Sequence, residues 1–223
     1  MTIIDDKASD AAANMAQDVA LWQRVEASPD RAFLRFYDWT EPCMSYGLNQ
    51  KIPHETNSVR RPTGGGRVAH QPGDITYSLV IPLSFLPSTQ LVASYRWLSE
   101  KVIRALEAVR VEAFLRQESL PEYQDKRHHD VCIDFPAKYE IVDASGRKLI
   151  GSAQRKGRFS LLQQTQVFGV IPQAFKEALA KQLQESFLKI SINMLSSLPI
   201  IDEFEEKESQ GKAMFHSIEQ LFN

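Results

Sequence analysis

Apolar and polar positions change rhythm several times along the chain, and each rhythm predicts an element. Residues 8–25 are alanine-rich with Met15, Val19 and Trp22 at three- to four-residue spacing, which predicts a helix. Residues 32–37 (AFLRFY) are short, aromatic and partly alternating, a strand pattern. Residues 38–50, with Pro42 and Gly47, read as a loop. Residues 58–61 form a short strand that runs into a glycine loop over 62–66, and 75–82 is a buried strand. Ser88 is placed to cap a helix over 90–109, with Leu91, Tyr95, Leu98, Val102, Ala105 and Val109 on its core face. A short strand at 112–116 precedes a polar loop over 117–130. Residues 139–142 and 148–153 pair as a hairpin closed at 144–146. Residues 159–167 supply a neighbouring strand. Pro172 opens a helix reaching about Phe187, and the acidic, then amphipathic 202–222 predicts a last helix interrupted by Gly211.

Strands at mixed spacing with few, irregularly placed helices predict an α+β fold: a mostly antiparallel twisted sheet with helices on one face. The chain is long enough for one domain over 1–223, and 43% apolar residues supply a core. It shows no repeat and no low-complexity linker.

A net charge of −2 points to neither nucleic acid nor an anionic membrane surface. The most apolar stretch, residues 77–86, contains Pro82 and is far shorter than the ~20 residues that span a bilayer. The N-terminus carries acids where a secretion signal needs basic residues. Two cysteines, Cys43 and Cys132, make no disulfide framework, so a reducing cytoplasm is the expected location.

Candidate chemistry gathers in two stretches. The first is RRPTGGGRVAH. Consecutive glycines weaken helix and sheet alike, and belong where backbone approaches something closely or takes a positive φ. With Arg60 and Arg61 alongside, the loop is either an anion cradle or a flexible turn beside two solvated arginines, and composition leaves both open. It lacks the Gly-Lys-Ser/Thr ending of a nucleotide-hydrolase phosphate loop. His70 at its end is either a substrate-orienting base or a structural histidine.

The second stretch is CIDFPAKYEIVDASGRKLIGSAQ. Cys132 is either a small buried hydrophobe or a nucleophile, and the latter needs a lowered pKa and access. Lys148 is either a solvated strand lysine or the cation that stabilises that thiolate and handles protons. The small run Gly151, Ser152, Ala153 predicts close packing over the strand. His128 and His129 are adjacent and point apart, so no metal site is expected. Cys43 is expected to be inert.

These stretches together resemble the lipoate–protein ligase, octanoyltransferase and biotin–protein ligase catalytic domains. RRPTGGGRVAH is similar to the family's signature loop and GRKLIGSAQR to its lysine strand. NMAQD and LRFYDWTEPCMSYGLNQ fit as well, so the resemblance covers residues 12–170. It implies attachment of an octanoyl or lipoyl chain to a lysine of a carrier domain, such as an H protein or E2 subunit. It assigns Lys148 to the reacting carbonyl, or to the adenylate phosphate in a ligase. The acyl or adenylate site is implied at Arg60, Arg61, Gly64, Gly65, Gly66, His70, Tyr77, Gly151, Ser152 and Ala153.

CIDFPAKYEIV and GDITYSLVIP are similar to the cysteine-dependent octanoyltransferases, as is the lack of room for an accessory domain after the catalytic one. That branch implies Cys132 as nucleophile, octanoyl- or lipoyl-acyl carrier protein as donor, and no cofactor. The alternatives are an ATP- and Mg-dependent lipoate ligase and a non-catalytic binder of lipoate or acylated carrier domains. One departure stands out: Gln164-Thr165-Gln166 replaces the His-Gly-Ser of those transferases.

Overall fold

The computed structural model of the chain describes residues 1–52, 57–118, 138–169 and 171–196. Its elements in order are β1 (Thr2–Asp5), α1 (Ala11–Ala27), β2 (Phe33–Tyr37), β3 (Cys43–Tyr46), β4 (Ser58–Arg60), β5 (Val68–His70) and β6 (Thr76–Pro82). There follow α2 (Leu91–Ala108), β7 (Phe114–Leu115), β8 (Ile141–Val142), β9 (Lys148–Lys156), β10 (Ser160–Val167) and α3 (Ala174–Ser196). Among the described residues, a seven-stranded sheet runs β1-β2-β6-β10-β9-β8-β7 and a three-stranded sheet runs β4-β3-β5. The large sheet is antiparallel except for the β1–β2 edge. The α+β expectation therefore holds.

Strand alternation sorts the two faces. Leu34, Phe36, Tyr77, Leu79, Ile81 and Leu161 face α2 and α3, whose Leu98, Val102, Leu106, Phe175, Leu179 and Phe187 complete the main core. Phe33, Val80 and Leu162 face the other way and meet Val25 of α1. Helices thus cover both faces, not one as expected, and β2, β6 and β10 are buried along their whole length for that reason.

Local details also differ from expectation. Asp10 caps α1 by accepting from Ala13 N at 2.7 Å, so the helix starts later than the alanine pattern suggests. α2 starts after Gln90 with no side-chain cap, and Leu91 is exposed. Residues 43–46, read as loop, form the central strand of the small sheet. The 202–222 helix, His128, His129 and most of the 117–130 loop lie outside the described residues. Among the described residues, no helix is long and apolar enough to cross a membrane.

α1 presents Asn14 and Asp18, one turn apart, to the polar end of the sheet. Buried Arg35 of β2 meets Asp18 Oδ1 at 2.8 Å, Asn14 Oδ1 at 2.8 Å and Asp6 Oδ2 at 2.5 Å. Asp18 also accepts from Ser78 Oγ at 2.6 Å. Burial raises the Asp18 pKa, against the opposing charge of Arg35 and the hydrogen bonds from Ser78, Gln164 and Arg35. A buried charge this well surrounded fixes α1 against the sheet at one register, and the cleft opens beside it.

Candidate active site

A cleft of about 420 Å³, part of it open to solvent, lies at the polar end of the sheet beside α1. Met15, Tyr37, Trp39, Val68 and Phe168 supply apolar surface, and Gly151, Ser152 and Ala153 of β9 form part of its wall. The lining, apolar with a few polar groups, suits a mostly apolar ligand with one polar end.

Arg61, just before the glycine loop, lines one side, whereas Gly64, Gly65 and Gly66 stand behind it and do not line the cleft. Arg61 is buried and spends its guanidinium inwardly, donating to Ser45 O (2.9 Å), Ser45 Oγ (2.7 Å), Gly64 O (3.0 Å) and Gly66 O (2.7 Å). The loop's shape is therefore set by its own arginine, which keeps a positive charge in the cleft wall. Gly47 backs the loop: a Cβ there would lie 2.0 Å from Gly65 O. Thr63 Oγ1 donates to Gln164 Oε1 at 2.7 Å, and Arg155 donates to Pro62 O at 3.2 Å, so the loop is tied down onto β9 and β10. Gln164 Nε2 continues to Asp18 Oδ2 at 2.7 Å, linking loop, sheet and α1 in one chain.

His70 lines the cleft with both ring nitrogens engaged. Gln166 Nε2 donates to Val167 O at 3.1 Å, which turns its Oε1 toward His70 Nδ1 (2.8 Å) and Thr76 Oγ1 (2.7 Å). Nδ1 therefore carries the proton, and Nε2 accepts from Ser45 Oγ at 2.6 Å. The ring stacks on Trp39 at 4.0 Å, and Trp39 Nε1 donates to Thr76 Oγ1 at 2.9 Å. Burial pushes the imidazole down to about 4, with Arg61 adding to the shift and the Gln166 bond opposing it. A neutral, fully engaged His70 is a wall of the cleft, not a general base.

Lys148 is the other cation. Its ammonium is buried and paired with Glu140 Oε1 at 2.7 Å. It lies under Gly151, where a Cβ would come 2.6 Å from Lys148 Cε, 3.0 Å from Nζ and 3.0 Å from Phe168 Cε2. Gly151 and Phe168 both face the cleft, so the ammonium sits at its margin. The small run on β9 has the predicted reason: Lys148 crosses Gly151, and the glycine loop packs within 3.7 Å of Ala153 when Gly65 is given a Cβ.

Two other expected site residues stand elsewhere. Arg60 is exposed and donates to Leu48 O (2.8 Å) and Gln50 O (2.6 Å), stabilising the turn after β3. Tyr77 faces α3, packed on Phe36 and Phe175 at ring-centroid distances of 5.7 and 6.5 Å, because odd-numbered β6 residues point away from α1. Cys132 lies outside the described residues. Cys43 is buried, and burial, with Glu41 and Asp74, pushes its thiol up to about 11, which fits the inert reading. Sequence reading missed Glu140, Ser45, Trp39, Gln164 and Gln166 as parts of the site. The last two were visible only as a departure; in the structure they hydrogen-bond to Thr63, Asp18, His70 and Thr76.

Comparison with known proteins gives the family and the fold. The family model described as the lipoyl protein ligase A/B catalytic domain matches residues 10–196. Octanoyltransferase LipM of Oceanobacillus iheyensis is 35% identical over 72% of this chain and 60% of its own length. The chain thus spans three fifths of that relative. Octanoyltransferase LipM of Staphylococcus aureus is 30% identical over 89% of this chain and 80% of that protein. Among solved structures, protein Ta0514 of T. acidophilum with bound lipoic acid superposes with a TM-score of 0.64 at 18% identity, covering 87% of this chain and 94% of that one. A lipoate-protein ligase A bound with ATP gives 0.62 at 19% identity, covering 86% and 85%. At such identity these structures establish a shared fold.

Proposed function

We propose that this chain, which belongs to the lipoyl protein ligase A/B catalytic-domain family, transfers an octanoyl or lipoyl group from acyl carrier protein to a lysine of a lipoyl carrier domain. The observation that carries the reading is the Lys148 ammonium, buried at the margin of a largely apolar cleft behind the glycine loop. The relatives named octanoyltransferase favour transfer over ligation.

The Cys132 thiolate attacks the carbonyl carbon of the carrier's acyl thioester. The bond to the carrier sulfur breaks, and Lys148 gives its proton to that leaving thiolate. The acceptor lysine, as a neutral amine, then attacks the Cys132 thioester. The amide forms, Cys132 leaves as the thiolate, and Lys148 takes up the amine's proton. One thioester becomes another and then an amide, so no ATP is consumed. Arg61, held by the carbonyls of Gly64 and Gly66, shapes the carbonyl end, while Met15, Trp39 and Val68 contact the chain.

Incubation with octanoyl-acyl carrier protein tests this. The intact mass should rise by one octanoyl group, neutral hydroxylamine should remove it, and Cys132→Ala should not acquire it. A wild-type protein that gains no mass refutes the transferase reading. Pyrophosphate release dependent on lipoate and ATP, undiminished in Cys132→Ala, would establish the ligase instead.

A further inference from the structure

We propose that Glu140 is the positioning residue for Lys148: its carboxylate holds the ammonium beneath Gly151 at the margin of the cleft. The proposal rests on the functional reading above for the task it assigns to Lys148, and on three observations for the geometry.

First, Glu140 Oε1 lies 2.7 Å from Lys148 Nζ, and both side chains are shielded from solvent, 6% and 0% exposed. A lysine stem is long and flexible and ordinarily carries its charge out to water. An ammonium held fully inside needs a charged partner close by.

Second, the backbone at Glu140 is pinned to Arg116 by two hydrogen bonds. Tyr139 N donates to Arg116 O at 2.8 Å, and Arg116 N donates to Glu140 O at 3.0 Å. Tyr139 itself sits at φ 67°, in the left-handed region that a bulky aromatic residue seldom enters. Strain of this kind persists only where the surroundings impose it, and it recurs at functional sites. The next side chain, Glu140, points inward to Lys148.

Third, the space Lys148 crosses is kept open by the absence of a side chain at Gly151, where any Cβ would strike Cε and Nζ. A glutamate held by strained backbone, a lysine it pairs with and a glycine that leaves room together specify one ammonium position. The ammonium also lies 5.9 Å from the centroid of the Phe168 ring. An aromatic face stabilises a cation without competing for the Glu140 bond.

The test uses Glu140→Gln, which keeps size and a hydrogen-bonding oxygen but removes the charge, beside Glu140→Ala. The full chain is labelled with 15N-lysine, and the slowly exchanging ammonium resonance that disappears in Lys148→Met is followed. In Glu140→Gln that resonance should broaden or vanish through exchange with water. Single-turnover acyl transfer should slow about 100-fold while KM stays within about threefold, the mark of a misplaced group rather than a lost binding surface. Glu140→Asp should restore part of the rate. An unchanged resonance with a transfer rate within twofold of wild type overturns the proposal. If the wild-type protein transfers no acyl group, the functional reading fails on its own, and the resonance alone decides whether Glu140 holds Lys148.

Discussion

Gly151→Ala is a mutation of one methyl group whose consequence follows from two distances. The new Cβ would lie 2.6 Å from Lys148 Cε and 3.0 Å from Nζ. Carbon atoms rest about 3.5–4.0 Å apart, so the lysine end must retreat by roughly 1 Å. That end is flexible, and replacing glycine within a strand regains about 0.5–1 kcal/mol of backbone entropy. Overpacking costs about 1–3 kcal/mol where nothing can move, so the net loss of stability should stay near ~1 kcal/mol. Catalysis is less forgiving, since a 1 Å misplacement costs on the order of 100-fold. Urea unfolding should therefore show a small shift in midpoint, while transfer from octanoyl-acyl carrier protein to a lipoyl domain falls about 100-fold. Transfer within threefold of wild type would refute the claim that Lys148 must occupy the space beneath Gly151. A loss of stability large enough to unfold the protein would instead contradict the ~1 kcal/mol figure, because it would mean that the lysine end cannot yield.

Other positions should respond differently. Gly47→Ala sets a Cβ 2.0 Å from Gly65 O, a backbone atom that cannot swing aside, so stability should drop by ~2 kcal/mol or more with activity following it; an unchanged urea midpoint would contradict the packing described for the loop. Gln164→Ala leaves buried Thr63 Oγ1 and Asp18 Oδ2 without this partner, and unfolding should become easier by about 1–3 kcal/mol; a change below ~0.5 kcal/mol would show the link to be incidental. His70 is held neutral in the fold, with its pKa at about 4, while the unfolded chain takes up the proton near 6.5. Its contribution is thus complete above pH ~6.5 and is lost as pH falls toward 4, by about 3 kcal/mol at ~1.4 kcal/mol per pH unit. Denaturation at pH 7 and pH 4.5 should show a larger acid loss for wild type than for His70→Gln, and equal losses would contradict the buried, neutral ring.

How much of this was legible beforehand depended on how far apart in the chain the interacting groups lie. The lysine strand and its turn are local, and the 139–153 hairpin matches β8 and β9 in the structure. The glycine loop announced itself because three glycines have no role in a regular element. The edge strand β1 and the central strand β3 were missed: each is four residues long, and β3 follows Pro42 and precedes Gly47, so turn signals outweighed its pattern. The polar links were out of reach for another reason. Thr63 and Gln164 are distant in sequence, as are Asp18 and Arg35, and a buried glutamine has the same letter as a solvated one. Arg60 and Arg61 are neighbours of identical type, yet strand alternation sends one inward to the glycine carbonyls and the other outward to residues 48 and 50.

The central question is whether this cleft passes an acyl group to a carrier domain. The most direct measurement is the mass of a lipoyl carrier domain after incubation with this protein and octanoyl-acyl carrier protein, with ATP absent. The expected result is a gain of one octanoyl group on a single lysine, abolished by Cys132→Ala and by Lys148→Met. A carrier domain that stays unmodified until ATP and free lipoate are added, or that is modified equally well by Cys132→Ala, would contradict it.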